Sequence, residues 1–414
     1  MRTWRLAWRN VGRNRRRSLL CAGVVVVGFA GIALAGGFMA QSLEGLREGT
    51  IRSGMGHLQF AARGAFDGGA GAAAEPLIDD AAAIEAALRS DPEVVEVLPR
   101  LDFVGLLTNG ARSVPTLGTG LDPAGEARVM DQPKSLAAGR WLADRDERAV
   151  VLGAGLAKSL GLEVGDGATL LATTADGTLN AIDATVVGLA DLPIKELDDR
   201  YLAASLGLAS DLLMTQGRVS RLVVVLRDHR DAAAARPRLL AAIGGAAVAG
   251  GPGGAIEART WEELAQFYRQ VRTLYLGIFG FMGAVLVAVV LLATANTMLM
   301  AATERTREIG TLRALGTRPG AVGRLFLAEG VLLAIAGCVA GAALSLVVRL
   351  ALNHSGLTLP PPPGATHGST LFVKFYGAAY AAGLVAMLAT LALASWFPAR
   401  RATRMSIVEA LTHV

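Results

Sequence analysis

Apolar residues fall into two regimes along this chain. In four places, residues 19–40, 274–302, 325–348 and 375–397, they run nearly unbroken for the width of a bilayer. A hydrocarbon core of about 30 Å needs roughly 20 apolar residues in a helix, so each run predicts a membrane-spanning helix. Between residues 41 and 273 the apolar positions come instead in short alternating or helically spaced groups, the pattern of a folded α+β domain. The fold class expected is therefore an integral membrane protein of four transmembrane helices with one large α+β extracytoplasmic domain.

Within that domain, residues 56–62 read as a strand and 79–89 as a helix with Asp79 and Asp80 near its N-terminus. Residues 93–98 and 103–108 read as two strands. A similar strand–helix–strand unit recurs at 221–226, 231–243 and 255–259. Between the two units lies a second set of short strands and helices: 148–152, 155–160, 168–174, 178–189 and 201–213. This order predicts two subdomains, the middle one (about 115–215) inserted into the first. The Gly/Ala-rich stretch 244–254 reads as a loop. Trp261, Leu264, Phe267, Tyr268 and Val271 have roughly helical spacing, so 261–271 is expected to run unbroken into the second span as a stalk. Its predicted partner is an amphipathic continuation of the first span over 41–51, where Gly45, Gly49, Gly54 and Gly56 leave room for a hinge.

Charge fixes the expected orientation. Residues 1–18 hold seven arginines (Arg2, Arg5, Arg9, Arg13, Arg15, Arg16, Arg17) and no acid. The 303–324 loop has five Arg against two Glu, and the 398–414 tail three Arg against one Glu. The 41–273 region has 23 Lys/Arg against 31 Asp/Glu, net −8, so the overall +5 is concentrated on one membrane face. By the positive-inside rule the N-terminus, the 303–324 loop and the C-terminus lie in the cytoplasm of an inner-membrane protein. The 41–273 domain and the short 349–374 loop lie outside. Arginines at such boundaries meet anionic headgroups and do not argue for nucleic-acid binding. The first apolar run exceeds a usual signal-peptide core and reads as an uncleaved anchor. Cys21 and Cys338 fall within spans and the exported domain has no cysteine, so it is expected to be held by its core rather than by disulfides.

Active-site chemistry is hard to find. Residues 153–159, GAGLAKS, approach a phosphate loop, but Ala157 stands where the glycine before Lys-Ser is needed, and Lys158 spoils a dinucleotide fingerprint. The histidines (His57, His229, His354, His367, His413) are scattered, without metal-ligand spacing. No G-x-S-x-G nucleophile elbow occurs. The expectation is no catalytic, cofactor or metal site on this chain. Glu329, about a turn inside the third span, is expected to pair with Arg324 or Arg305 at the membrane boundary. Asn296 is expected to pack between helices.

The most pointed segment is 303–316, TERTREIGTLRALG, a charged helix-former between two spans. Glu304–Arg307 and Glu308–Arg305 could pair along it, and Ile309, Leu312 and Leu315 form an apolar edge. Gly316 and Pro319 would end the helix. Such a helix suits the headgroup region or a groove on a cytoplasmic protein, and the residues alone leave both open.

The stretch NTMLMAATERTREIGTLRALGTRPGAVGRLFLAEG (296–330) resembles the signature of the FtsX-like permeases of the MacB and lipoprotein-releasing type. LAWRNVGRNRRRSLL (6–20), GHLQF (56–60), LGAGLAKSLGLEVGDGATL (152–170) and PARRATRMSIVEAL (398–411) also match, in order, and LPPPPG (359–364) resembles the lipoprotein-releasing branch. The resemblance implies a permease that dimerises with itself or a paralogue and binds a separate ABC ATPase, which carries the ATP and Mg. It implies that 303–324 is the coupling helix, with Glu304, Arg305, Glu308, Gly310, Leu312 and Arg313 as ATPase-docking residues. It also implies mechanotransmission through the stalk to the exported domain. Lipoprotein cargo is favoured. Efflux of amphiphiles or peptides with a periplasmic adaptor, or regulation of a cell-wall hydrolase, are the alternatives.

Overall fold

The computed structural model describes residues 2–13, 15–67, 76–192, 194–228, 231–244, 256–360 and 369–404. The 245–254 loop, the prolines at 361–363 and the end of the C-terminal tail lie outside the described residues. In chain order, α1 (Arg2–Arg13) and α2 (Arg15–Thr50) precede β1 (Leu58–Ala62), α3 (Ala81–Arg89), β2 (Val94–Thr108), β3 (Ser113–Leu121) and α4 (Pro123–Val129). Then come β4 (Leu136–Gly139), β5 (Ala149–Gly153), α5 (Ala154–Leu160), β6 (Gly167–Thr173), β7 (Leu179–Ala190), α6 (Lys195–Asp198), β8 (Tyr201–Ser205), α7 (Leu206–Leu213) and β9 (Arg221–Leu226). They are followed by α8 (Ala232–Ile243), β10 (Ile256–Thr260), α9 (Trp261–Leu264), α10 (Gln266–Glu304), α11 (Thr306–Ala314), α12 (Pro319–Ser355) and α13 (Gly377–Arg404). The chain divides into two compact units, Leu46–Arg269 with Pro360–Ser369, and the remainder.

Among the described residues, four segments are long and apolar enough to cross a membrane: Arg15–Met55, Gln266–Glu304, Gly320–Ser355 and Gly377–Arg400. Their shared core brings Cys21, Val25, Phe29 and Ala33 of α2 against Leu333, Ala334 and Cys338 of α12 and Met387 and Leu391 of α13. Val290 and Met298 of α10 complete it. Asn296 is exposed on α10, contrary to expectation, and Thr294, two residues away, is the buried polar side chain. A step of two residues turns a helix through about 200°, so the two cannot share a face.

In the Leu46–Arg269 unit, one ten-stranded sheet serves two substructures. The strands β10, β1, β9 and β2 form an antiparallel sheet with α3 and α8 packed against it. Pairing then continues β2–β3–β8–β5–β7–β6 and returns from β6 to β2, closing a six-stranded ring. Closure leaves these strands no open edge. Alternation along them separates two cores. Val150 and Leu152 of β5 and Leu202 and Ala204 of β8 face one with Leu101, Phe103 and Leu107. Ala149, Val151, Tyr201 and Ala203 face the other, with Leu142 and Leu192.

Strands expected separately at 93–98 and 103–108 are one, the fifteen-residue β2. Its residues 96–99 are buried on both faces, which interrupts the alternation and splits the pattern in sequence. Residue 115, the expected start of the inserted part, falls inside β3, since the ring already uses the second half of β2. The 261–271 helix is likewise broken. Thr260 caps α9 in a reciprocal box with Glu263, and the chain then kinks at Ala265 (ψ 72°) before α10 begins. The kink lets Trp261, 2% exposed, stay in the domain while Phe267 is 60% exposed. Gly45 and Gly49 sit within unbroken helix, and the first sharp turn comes only at Gly54. His57 is structural: its Nδ1 accepts the Leu226 N–H at 2.9 Å.

Candidate coupling site

The functional candidate is the segment between α10 and α12. The helix does not run through it. α10 ends at Glu304, Arg305 takes φ −101° and ψ 15°, and α11 starts afresh at Thr306. Thr306 Oγ1 donates to the Thr303 and Ala302 carbonyls and ties off the last turn of α10. Gly316, at φ +89°, follows the end of α11, and Pro319 opens α12.

That break overturns the pairing expected along the loop. Glu304 and Arg307 are on different helices, so their spacing of three no longer makes them neighbours. Glu304 accepts from Arg17 at 2.6 Å, Glu308 from Arg13, and Arg305 reaches Glu329 at 3.2 Å. Arg13 and Arg17 lie four residues apart, as do Glu304 and Glu308, so the contacts form an antiparallel two-rung ladder. The Glu308 hydrogen bond raises Arg13 above its ordinary value. Both rungs are substantially exposed on at least one partner, and solvent screening leaves such pairs contributing little to stability. They can be exchanged for contacts to another protein at little cost.

The third contact differs in kind. Arg305 and Glu329 are only 12% and 8% exposed. Asn10 Nδ2 also donates to Glu329 Oε1 at 2.6 Å, and Arg305 Nη2 reaches the Asn10 carbonyl at 3.5 Å. Three segments, α1, the α10–α11 junction and α12, thus meet on one carboxylate. Of the two partners expected for Glu329, Arg305 is the one it has; Arg324 is exposed. Beside the knot lies a cavity of about 30 Å³ bordered by Arg17, Cys21, Thr297 and Arg305. That volume suits one water, and Arg17 Nη1 and Arg305 Nε are both buried without a hydrogen-bond partner.

The apolar edge also divides. Ile309 is buried with Ala302, Val322, Phe326 and Ala399, whereas Leu315 is 80% exposed. Six residues turn a helix by about 600°, which leaves the two some 120° apart. Arg307, Thr311 and Leu315, each four residues from the next, form the outward stripe, with Glu308 beside it. Gly310 is buried and Arg313 half-buried; the Leu312 side chain lies outside the described residues. Of the expected docking residues, Glu304 and Glu308 are presented outward and Arg305 is turned inward. Asn10, Arg13 and Arg17 were not anticipated as members of this site. The matched four-residue spacing of opposite charges was the available signal, read in the sequence only as lipid contact.

Among the described residues no cluster of three or more His, Cys, Asp or Glu could hold a metal ion. At the start of α5, where the phosphate-loop likeness lay, the Ala154 and Gly155 amides donate to the Asp198 carboxylate at 3.1 and 2.7 Å. The chain's own anion occupies that helix N-terminus.

Comparison with known proteins places these features. The MacB-like periplasmic core domain family matches residues 18–242, and the FtsX-like permease C-terminal family matches residues 280–407. The ABC transporter permease YtrF of Bacillus subtilis is 33% identical over 137 residues, 32% of this chain and 31% of YtrF, so the chain spans about a third of that relative. The lipoprotein-releasing system transmembrane protein LolC of Neisseria meningitidis is 24% identical over 77% of this chain and 78% of its own length. Its counterpart LolE of Haemophilus influenzae is 24% identical over 82% of each. The core-domain match runs from α2 through β9 into α8, and the permease match covers most of α10, then α11, α12 and α13. The chain belongs to the FtsX-like permeases that carry a MacB-like periplasmic core domain.

Proposed function

We propose that this chain is the membrane subunit of an inner-membrane ABC transporter, coupling ATP hydrolysis on a separate ATPase subunit to work on the outer face. The observation that carries this is α11: a short helix presenting Arg307, Glu308, Thr311 and Leu315 outward while Ile309 and the buried Arg305–Glu329 pair root it among the membrane helices. A force on the outward stripe is passed to α1, α10 and α12 together. The arginine asymmetry supports a cytoplasmic position for both termini and for α11, with the 41–273 region outside. A dimer, of two copies or with a paralogue, would offer two such helices to two ATPases. The nucleotide and its Mg belong to the partner in this reading. A titration of the full chain with Mg-ATP in the absence of partner is expected to show no saturable binding, and saturable binding would contradict it.

For the cargo, the match of four-fifths of the chain to lipoprotein-releasing proteins favours acylated lipoproteins. Drawing lipid chains into water costs about 0.8 kcal/mol per CH₂, which is why such release needs ATP. In proteoliposomes holding this chain, its ATPase and a triacylated lipoprotein, ATP is expected to move the lipoprotein onto a soluble carrier. ATP-dependent export of a soluble amphiphile, with the lipoprotein left in the bilayer, would favour efflux of the MacB kind. Neither, with a cell-wall hydrolase activated instead, would favour regulation.

A further inference from the structure

The first membrane helix changes direction at a single built point. After Thr50 the helix ends in one wide turn, Ile51–Met55, in which Gly54 takes the non-helical φ +113° and ψ −6°. A residue with a side chain adopts that conformation only under strain. The turn closes with the Gly56 N–H on the Ile51 carbonyl at 2.9 Å, and β1 begins two residues later.

Against Gly54 lies the Arg100 guanidinium. A Cβ at position 54 would come within 2.6 Å of Nη1 and 3.1 Å of Nη2. Arg100 donates Nε–H and Nη2–H to one oxygen of Glu126, at 2.9 and 2.5 Å. Glu126 is fully buried and Arg100 is 11% exposed, while the second Glu126 oxygen is buried with no partner. The Asp131 N–H, just past α4, donates to the Arg52 carbonyl at 3.1 Å and ties the turn down from the other side.

Arg100 also holds a special place in the sheet. It pairs with Arg221 of β9 and with Leu121 of β3, and so marks where β2 passes from the open sheet into the closed ring. A buried ion pair stabilises a fold little compared with apolar residues of the same volume. An unpartnered buried carboxylate oxygen makes this one less favourable still. What the pair does supply is a fixed direction: a planar guanidinium held at two nitrogens cannot slide, and its outer edge fills the space above a residue without a side chain.

We propose that Gly54, Arg100 and Glu126 form a rigid joint at the end of α2, delivering displacement of that helix to β2, and through β2 to the ring, instead of losing it in the turn. The origin of the displacement rests on the function proposed above; the joint itself does not.

The test is amide hydrogen exchange of the full chain in nanodiscs. Two variants are compared with the parent: the double replacement Arg100→Met with Glu126→Leu, which removes both buried charges together, and Gly54→Ala, which keeps the pair but intrudes on it. In each, exchange at residues 54–56 is expected to rise about tenfold or more, the size of change that follows loss of one local anchor. β5 and β8 should stay protected as in the parent. Exchange at 54–56 within twofold of the parent would overturn the joint. So would equal loss of protection across the ring in both variants, since the pair would then be a general folding determinant. With the ATPase present, both variants should hydrolyse ATP at the parent rate and release less than a tenth of the cargo. If the parent itself releases no cargo, the proposed function fails while the exchange result still decides the joint.

Discussion

Replacing Glu329 with alanine is expected to destabilise the full chain by about 3 kcal/mol or more, the cost of stranding one member of a buried ion pair. Arg305 would keep its charge at 12% exposure with no carboxylate to meet it, and the Asn10 amide would lose its acceptor at the same stroke. Because α1, the α10–α11 junction and α12 converge on that carboxylate, loss of stability should come with release of α1. Trypsin would then cleave at Arg13 and Arg15 faster than in the parent. The double variant Arg305→Met with Glu329→Met removes both charges and should recover most of the loss. Thermal unfolding of the purified protein in detergent, with the tryptic rate alongside, reads both effects. A single variant as stable as the parent would show that the knot holds nothing.

The second large effect is steric and lies one residue further along α12. A Cβ on Gly330 would fall on the Ser395 Oγ of α13 and lie 3.2 Å from the Leu391 carbonyl. Ser395 is fully buried, and its hydroxyl is held on Leu391 at 2.7 Å, so it has nowhere to turn. Close approach through small residues is how membrane helices pack when no water drives them together. Gly330→Leu must therefore push α12 and α13 apart, at a cost of about 1–3 kcal/mol for overpacking and more if the helices separate fully. Gly323→Ala, on the same helix, is the control: nothing lies within 4 Å of its Cβ, and alanine there should be neutral or stabilising by roughly 0.5–1 kcal/mol. Equal melting of the two variants would contradict the packing described.

The contrast between these two sites shows what a sequence displays and what it hides. The four spans were legible because the bilayer demands their length, and α2 runs on to Thr50 as the amphipathic spacing over 41–51 suggests. The strand at Arg221–Leu226 and the helix capped by Asp80 were legible because alternation and capping are local signals. Ring closure was not, since it depends on β6 returning to β2 and on the parallel pairing of β3 with β8, neither of which is written in a local pattern. β3 itself, SVPTLGTGL, carries two Gly and a Pro that mask its strand signal. At the coupling site the residue types were legible and their partners were not. Spacing suggested pairs within one helix, but the break at Arg305 redirects Glu304 and Glu308 to Arg17 and Arg13, some 290 residues away in sequence. The buried Arg305 also changes how docking should be probed. Reversing its charge would disrupt the knot as well as any interface, so the informative substitutions are the outward Arg307 and Glu308.

The central claim is that α11 seats an ABC ATPase. It is tested most directly by purifying the full chain from its native membranes in mild detergent and identifying the bound proteins by mass spectrometry. The same preparation is made from the double variant Arg307→Glu with Glu308→Arg. The account predicts that an ABC ATPase subunit accompanies the parent chain and is lost from the variant, while both insert and melt alike. An ATPase retained in full by the variant, or absent from the parent, would contradict it.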